Sequence, residues 1–520
     1  MFKHKLSLEF LTAAVFLTRW GFRSHYLYDL DSVNFGLAIR RFDPRVHQPH
    51  PPGYFLYVVL GRLLNSVFHN ANLAFVVLSI IASCGALIVI YKISMEWFSP
   101  MAAQFAAIIF LLSPLGWFHG TVALTYIVEA FFSVLVGYLC WRVYCGNERF
   151  TLWAGVVLGI SAGVRPSSLL FLAPLFLFAL SKTPQKERWV GLAALVTTLA
   201  AWFFPMIFVC GGFKAYFGAL ISLWRMVPSK DTVFNSSPAT SIARACTIVF
   251  IYFLCFGAAS LAPLGALVRR VPVDARKKAF TIIWMAPALC FFTFGYLKFV
   301  NSGYLLLLAA PACIWLGLWT SEWYEACVWR RSIKLTLIGV CAAANTLIFL
   351  ASPFYCSYKQ MRLFELELES IRKELPQVAS ARDTVIISFD SHFDGFRHAG
   401  YYFPEYLTIE YPAAKLTEGP RIFAMHERDT QLLTELPIAS YTRFVLFPLP
   451  KGISYQEHLQ KALGRLPDED LHTVSVGGHE FITGPISDLP LLFPPAEPES
   501  GQGVYVPLHS GMLHVNSRSH

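Results

Sequence analysis

The amino-acid sequence predicts a mainly α-helical protein: a polytopic membrane bundle of about eleven transmembrane helices, followed by a smaller extracytoplasmic α/β domain. Of the 520 residues, 55% are apolar and only 14% are charged, whereas a soluble globular chain carries about 25% charged residues. The apolar residues also gather in runs close to the ~20 residues that a bilayer requires. The same composition excludes intrinsic disorder, which needs low hydrophobicity together with high net charge.

The first apolar run follows the basic pair Lys3 and Lys5 and extends to about Trp20. Because no small-residue cleavage site follows it, we expect a retained first helix rather than a signal peptide. Further candidate spans cover residues 73–90, 101–118, 121–140, 189–210, 241–266, 279–298, 302–319 and 333–351.

Residues 151–180 are apolar throughout except for Arg165 and Pro166 near the middle. One helix of that length would run about 45 Å, which is too long for a bilayer core unless the helix is strongly tilted. We therefore predict two short antiparallel halves with Arg165 at the turn, because proline ends one helix and begins the next.

Basic residues test this choice, because cytoplasmic loops carry an excess of Lys and Arg. With the hairpin, six basic clusters fall on one side: Lys3/Lys5, Lys92, Arg142/Arg149, Lys182/Lys186/Arg188, Arg269/Arg270/Arg276/Lys277/Lys278 and Arg330/Arg331/Lys334. This predicts a multi-pass protein of the cell (inner) membrane with a cytoplasmic N-terminus. The first outer loop (21–70), the loop 211–240 and the chain after residue 351 would then lie outside the cytoplasm.

The chain after the last apolar run differs in kind. Residues 1–351 are predicted to form the transmembrane domain, 352–490 the small α/β domain and 491–520 an extended tail rich in Pro, Gly and Ser. An amphipathic stretch at 358–375 predicts a helix. Strand-like runs follow at 384–388, 407–410, 421–425 and 443–447.

The net charge and the cysteine content limit which kinds of partner and bound group the sequence favours. Much of the net charge of +9 sits in short loops between apolar runs, where it sets orientation and contacts anionic lipid. The sequence has no basic stripe interleaved with aromatic residues, so we expect a lipid bilayer and no nucleic acid as partner. Eleven cysteines without paired spacing favour neither a disulfide framework nor a zinc site.

Two carboxylates, Asp29 and Asp31, stand just past the first helix. A carboxylate at the membrane surface can act as a general base if apolar neighbours raise its pKa, although an ordinary polar loop would look the same. His47 and His50 could join these carboxylates around a divalent metal. Their spacing matches no metal-binding pattern, so we predict neither a metal nor another cofactor.

Three stretches follow one another along the chain: the Asp31-Ser32 step with residues 50–57 (HPPGYFLY), residues 159–167 (GISAGVRPS) and residues 301–311 (NSGYLLLLAAP). In order and spacing they resemble the GT-C superfamily, membrane glycosyltransferases that use polyprenyl-phosphate sugars. The first stretch resembles the first outer loop of the mannosyltransferase-like bacterial branch. The resemblance covers roughly residues 1–350 and implies a GT-C-like helical domain.

In that family an acidic residue of the first outer loop deprotonates the acceptor, which attacks the anomeric carbon as the lipid phosphate leaves, with inversion. Carried over by position, Asp31 is the first candidate for this base and Asp29 the second. The family often shows two adjacent acidic residues, whereas this chain has Asp-Leu-Asp, so the choice stays open. The resemblance thus implies a mannosyltransferase-like hexosyltransferase with a polyprenyl-phosphate sugar donor and an extracytoplasmic lipid, glycan or protein acceptor.

A phosphate leaving group calls for cations near the outer membrane face. Arg165 and Lys298 are both placed outward by the predicted topology, although snorkelling would also explain them. Glu129 lies inside an apolar span, where it would either contact the acceptor or hydrogen-bond between helices. His50 and Tyr54, within the motif at 50–57, complete the predicted substrate-binding residues.

Two other functions fit parts of the sequence. A secondary transporter would also be a helical bundle, but transporters often show internal repeats and breaks near the bilayer midplane. The sequence shows no repeat, and its break falls at the outer face. A polysaccharide polymerase or ligase with a diphosphate-linked donor is the nearest alternative enzyme, and a membrane scaffold would tolerate Asn in place of Asp31.

Overall fold

A computed structural model of the protein describes residues 7–226, 238–261, 273–295, 299–389, 393, 395–411, 414–416, 419–433, 438–448, 463–464, 466–467 and 471–492. The chain divides into two compact units. The membrane unit comprises Met1–Tyr26, Tyr54–Val209 and Ser229–Arg362. The sheet unit comprises Leu27–Gly53, Cys210–Pro228 and Leu363–His520. Residues 27–53, which contain Asp29 and Asp31, therefore cluster with the C-terminal part of the chain.

The α-helices of the described residues are, in chain order, α1 (Leu8–Gly21), α2 (Leu30–Arg40), α3 (Phe55–Phe68), α4 (Ala71–Trp97), α5 (Pro100–Leu111), α6 (Pro114–His119), α7 (Tyr126–Tyr144), α8 (Phe150–Val164), α9 (Ser167–Leu180), α10 (Gln185–Val209), α11 (Phe213–Met226), α12 (Pro238–Phe256), α13 (Ala275–Cys290), α14 (Ala309–Ala326), α15 (Arg331–Ala351), α16 (Tyr358–Val378), α17 (Phe396–Tyr402) and α18 (Leu489–Leu492). Helical segments of the 3-10 or π type cover Pro44–Val46, Gly257–Leu261, Phe291–Gly295, Phe299–Leu308, Ile438–Ser440 and Ile486–Asp488.

Six helices within the described ranges are long and apolar enough to cross a membrane, so the prediction of an integral membrane protein is confirmed. They are Ala71–Trp97, Tyr126–Tyr144, Gln185–Val209, Ala275–Phe294, Asn301–Ala326 and Arg331–Ala351. Shorter apolar helices cover Phe55–Phe68, Pro100–Leu111, Phe150–Val164, Ser167–Leu180, Phe213–Leu223 and Ala245–Leu261. The number of eleven spans, the cytoplasmic N-terminus and the choice of the inner membrane stay predictions.

The break expected at Arg165-Pro166 is confirmed, because α8 ends at Val164 and α9 begins at Ser167. Helix α8 also packs closely against α10. A Cβ atom at Gly159 would lie 2.7 Å from Cβ of Thr198, so only glycine allows this approach. Trp202 of α10 donates its indole N–H to the carbonyl oxygen of Gly159 at 2.9 Å, which fixes the contact.

The described residues of the sheet unit form eight strands: β1 (Thr384–Phe389), β2 (Thr408–Tyr411), β3 (Ala414–Leu416), β4 (Gly419–His426), β5 (Asp429–Leu433), β6 (Arg443–Leu446), β7 (His472–Val476) and β8 (His479–Pro485). Their order is β3-β4-β2-β1-β6-β8-β7, with β5 paired to β4. Strand β1 pairs in parallel with β2 and β6, with Ile387 opposite Ile409 and Ile386 opposite Val445. The remaining pairs are antiparallel.

The helix and strands predicted in the C-terminal part of the chain are confirmed, whereas the predicted domain bounds at 352–490 and 491–520 stay predictions. Helix α16 coincides with the predicted amphipathic stretch, and β1, β2, β4 and β6 coincide with the four predicted strands. The six residues of β1 are all buried, as expected of a central parallel strand covered on both faces. One face packs into a core that includes Val385, Ile387, Ile409 and Phe444. That this unit lies outside the cytoplasm stays a prediction.

Candidate functional site

The first candidate group lies at the N-terminus of α2, in the sheet unit. Asp29 caps this helix, since its Oδ1 atom accepts the backbone N–H of Asp31 at 2.9 Å. The hydroxyl oxygen of Tyr402 accepts the backbone N–H of Leu27 at 2.7 Å, just ahead of the cap. The chain entering α2 is therefore held by α17.

The two carboxylates differ in environment. Asp29 is 8% exposed, and burial together with the charge of Asp31 raises its pKa well above the usual range. The side chain of Asp31 is 29% exposed, and its Oδ1 atom lies 3.1 Å from Nδ1 of His50. Asp29 is thus a buried cap, whereas Asp31 is an accessible carboxylate beside an imidazole.

His50 belongs to a short turn, residues 43–53, that folds back on itself. Asp43 and Gln48 exchange backbone hydrogen bonds of 2.6 and 3.0 Å. The carboxylate of Asp43 accepts from the guanidinium groups of Arg41 and Arg45. Burial acts to raise the pKa of Asp43, but the hydrogen bonds from Arg45 and Arg41 lower it below its usual value. The turn is therefore anchored by an ionised carboxylate.

The second candidate group surrounds Arg165, in the membrane unit. Nε of Arg165 lies 3.0 Å from Oε2 of Glu129, and the two side chains are only 5% and 2% exposed. Nη1 of Arg165 donates to Oγ1 of Thr125 at 2.6 Å. The hydroxyl groups of Ser167 and Ser168 donate to Oε1 of Glu129 at 3.1 and 2.9 Å. The ion pair is therefore also hydrogen-bonded, as a buried pair requires.

Three tyrosine rings surround the guanidinium of Arg165. Its Cζ atom lies 4.4 Å from the ring centre of Tyr304, 4.5 Å from that of Tyr126 and 5.7 Å from that of Tyr54. Such cation–π contacts stabilise a desolvated guanidinium. Residues 50–57, 159–167 and 301–311, which carried the family resemblance, thus contribute Tyr54, Arg165 and Tyr304 to one cluster.

Gly303 makes this arrangement possible. A Cβ atom at this position would lie 2.5 Å from the ring of Tyr126 and 2.8 Å from Cε1 of His119. The hydroxyl group of Ser302, which precedes Gly303 in the chain, lies 2.6 Å from the hydroxyl group of Tyr355. The glycine of the motif at 301–311 therefore allows the close approach of Tyr126 that the Arg165 cluster needs.

Other residues that the sequence singled out either lie outside the described ranges or differ from expectation. Lys298 lies outside the described residues. The sequence also predicts that a group of polar side chains (Asp390, His392, Asp394 and His398) lies in a solvated loop between a strand and a helix, and the first three of these lie outside the described residues. His398, expected in that same loop, is instead fully buried in α17. In the part of the chain that the structure describes, no three His, Cys, Asp or Glu side chains are grouped to hold a metal ion. The prediction of no metal stays a prediction.

Sequence reasoning did not identify Thr125, Ser167 or Ser168 as partners of the Arg165–Glu129 pair. Residues 167 and 168 follow Arg165 directly, so a search for hydroxyl side chains at the break would have found them. Thr125 lies four positions before Glu129, one helical turn away. No comparable signal points to the partners of the 43–53 turn in the distant C-terminal strands.

Comparison with known proteins supports the resemblance of this chain to the GT-C superfamily. Residues 49–209 match the family described as dolichyl-phosphate-mannose-protein mannosyltransferase. The match includes His50, Tyr54, Glu129 and Arg165 and begins after the two N-terminal carboxylates. Among curated proteins, none matches the chain in sequence.

Solved structures resemble the chain over most of its length. ArnT from Cupriavidus metallidurans bound to undecaprenyl phosphate aligns with a TM-score of 0.55 at 10% identity, covering 94% of this chain and 98% of that one. Its apo state aligns with a TM-score of 0.54 at 10% identity, covering 93% and 97%. The Archaeoglobus fulgidus oligosaccharyltransferase with Zn and sulfate gives 0.47 at 14% identity, covering 87% and 69%. The resemblance to the GT-C superfamily is confirmed.

Proposed function

We propose that this protein is an inverting glycosyltransferase that moves a sugar from a polyprenyl-phosphate carrier to an acceptor outside the cytoplasm. The lipid-linked glycosyltransferase fold supports the class of donor, and the match of residues 49–209 favours a hexosyl, mannose-like sugar. The observation that carries the proposal is the accessible Asp31 carboxylate beside His50. A base in this position is what the transfer to a hydroxyl acceptor needs.

In the proposed reaction Asp31 takes the proton of the acceptor hydroxyl. The acceptor oxygen forms a bond to the anomeric carbon, and the bond from that carbon to the phosphate oxygen breaks with its electron pair. A carboxylate beside the acceptor acts as general base, a contribution of typically about 10²–10⁴-fold. His50, 3.1 Å from Oδ1 of Asp31, would orient this carboxylate and contact the substrate.

Asp31 is preferred to Asp29 for physical reasons. Asp29 is buried, its Oδ1 atom accepts a backbone N–H, and its raised pKa favours the protonated form that cannot accept a proton. Asp31 is more exposed and faces an imidazole. A base must reach the acceptor, so the accessible carboxylate is the better candidate.

The leaving phosphate is proposed to interact with Arg165. A guanidinium donates to phosphate oxygens in a fixed fork, and its charge counters the charge that develops as the bond breaks. We propose that Glu129 orients Arg165 rather than contacting the sugar, since both of its oxygens already face Arg165, Ser167 and Ser168. Tyr54 and Lys298 are retained as proposed donor contacts.

The test is release of polyprenyl phosphate by purified protein in liposomes supplied with a panel of polyprenyl-phosphate sugars. Wild type, Asp31→Asn and Asp29→Asn are compared, each with EDTA and with added divalent cations. Turnover by wild type and Asp29→Asn with loss in Asp31→Asn supports the proposal. Turnover of diphosphate-linked donors alone would favour a polymerase or ligase. The absence of turnover with every donor, even after addition of membrane extract as a source of acceptor, would overturn the proposed function.

A further inference from the structure

A buried arginine of the sheet unit is bonded to the turn that carries His50. Arg397, on α17, is 4% exposed. Its Nη2 atom donates to the carbonyl oxygen of Val46 at 3.0 Å, and its Nη1 atom donates to Oγ1 of Thr430 at 2.9 Å. A buried guanidinium is costly unless hydrogen-bonded, so these bonds fix the position of Val46 as well as that of Arg397.

Thr430, on β5, joins a second part of the same turn. Its fully buried Oγ1 atom also accepts from Nε2 of Gln48 at 2.7 Å. Gln48 is fully buried and stands two residues before His50. Arg397 and Thr430 thereby hold the 43–53 turn at two points, Val46 and Gln48.

Aromatic rings beside Arg397 restrict the movement of its guanidinium group. The rings of Phe396 and Phe423 lie 5.2 and 5.6 Å from its Cζ atom. A guanidinium that is packed between rings and donates in two directions loses most of its rotational freedom. A lysine could keep the charge but could not reproduce both bonds.

We propose that Arg397 and Thr430 are positioning residues for the reaction, which fix the 43–53 turn and so keep His50 beside Asp31. The inference rests on the proposed function of Asp31, and it makes the sheet unit the scaffold of the turn that carries His50. Misplacing a catalytic group by about 1 Å can lower a rate by about 10²-fold. Loss of the bonds at Val46 and Gln48 would loosen the turn that carries His50.

The experiment uses the full-length protein in liposomes with Thr430→Val, which removes the hydroxyl at nearly constant size, and Thr430→Ser, which keeps it. Thr483→Val is the matched control. Thr483 is 1% exposed and accepts from Nη2 of Arg443 at 3.0 Å within the same sheet, away from the turn. Hydrogen–deuterium exchange of residues 43–53 and steady-state kinetics with the active donor are the two measurements.

We expect Thr430→Val to speed exchange in residues 43–53 by about tenfold or more, and to lower kcat by about 10- to 100-fold with little change in the KM for the donor. Thr430→Ser should restore both quantities, and Thr483→Val should leave both near wild type. If Thr430→Val does not fold, Arg397→Lys replaces it with the same expectation.

Equal exchange and equal kcat in Thr430→Val and Thr483→Val would overturn the inference. The proposed function would still stand in that case, provided that wild type turns over a donor and Asp31→Asn does not. If wild type turns over no donor, the proposed function fails, and the inferred role in the reaction fails with it. The exchange measurement then still decides whether Thr430 holds the turn.

Discussion

Nε of Arg165 lies 3.0 Å from Oε2 of Glu129, and both side chains are buried in the membrane unit. Removing one partner of such a pair leaves an uncompensated charge, which costs about 3–5 kcal/mol. We expect Arg165→Met and Glu129→Leu each to lower the thermal unfolding temperature markedly. The double variant should lose much less than the sum, because the partners interact directly.

The Arg142–Glu96 pair is the control for this cycle. Its N···O distance is similar, 3.1 Å, but its side chains are 31% and 33% exposed. We expect Arg142→Met to cost no more than about 1 kcal/mol, since water screens an exposed pair. Additive losses at Arg165 and Glu129, measured by thermal unfolding in nanodiscs, would show that the two side chains do not depend on each other.

Asp31→Asn is expected to lower donor turnover by at least about 10²-fold, because an amide cannot take the acceptor proton. The folded state should be unaffected, since the side chain of Asp31 is partly exposed. The measurement is release of polyprenyl phosphate, with circular dichroism to check folding. Wild-type turnover in Asp31→Asn would remove this residue from the mechanism.

Asp29→Asn should keep turnover within about tenfold of wild type, because asparagine caps a helix about as well as aspartate. Asp29→Ala removes the acceptor of the Asp31 backbone N–H and should cost about 1 kcal/mol of stability. If Asp29→Asn loses donor turnover while Asp31→Asn keeps it, Asp29 rather than Asp31 is the catalytic base.

Gly303→Ala should displace Tyr126 from Arg165, because the new Cβ atom would lie 2.5 Å from the tyrosine ring. Overpacking of this kind costs about 1–3 kcal/mol. Gly339→Ala is the control, since nothing lies within 4 Å of the corresponding Cβ position. Thermal unfolding of both variants checks the prediction, and equal unfolding temperatures would contradict the crowding at Gly303.

His479 should make the sheet unit sensitive to pH. Its Nδ1 and Nε2 atoms lie 2.6 Å from Oε2 of Glu374 and 2.9 Å from Oε1 of Glu367. Burial acts to lower the pKa of His479, but the hydrogen bonds to the two glutamates raise it. The stabilisation is therefore fully present below the ordinary histidine pKa of about 6.5 and is lost as pH rises through the raised value.

Glu374 sets the lower end of the pH range in which this cluster stabilises the sheet unit. Burial acts to raise its pKa, but the hydrogen bonds from Ser370 and His479 lower it. Its contribution is present above the ordinary glutamate pKa of about 4.3 and is lost as pH falls through the lowered value. We expect amide protection in β8 to decline above neutral pH in wild type and to be flatter in His479→Gln. Identical pH dependence in the two proteins would contradict the ionised cluster.

The elements that follow from local pattern were predictable. Long apolar runs, the proline after Arg165 and the apolar, β-branched run in residues 384–388 each reflect an energetic requirement of consecutive residues. Strands β7 and β8 were not predicted. The sequence of β8 (HEFITGP) mixes a charged residue, a glycine and a proline with apolar residues, and its pairing with β6 on one side and β7 on the other stabilises it. The first outer loop likewise contains α2, an eleven-residue helix that is capped by Asp29 and largely buried.

The sequence by itself determined that this protein is a membrane bundle with a broken helix at Arg165, a carboxylate pair at Asp29 and Asp31, and a C-terminal α/β unit. Those features depend on composition and on neighbours along the chain. The tertiary structure alone decided that Asp29 is the buried cap, that Glu129 pairs with Arg165, and that Thr430 holds the turn before His50. Glu129 and Arg165, and likewise Gln48 and Thr430, are separated by tens to hundreds of residues, and the bonds between them form only after the packing of the apolar core has brought them together. The burial of Asp29 depends on the same packing.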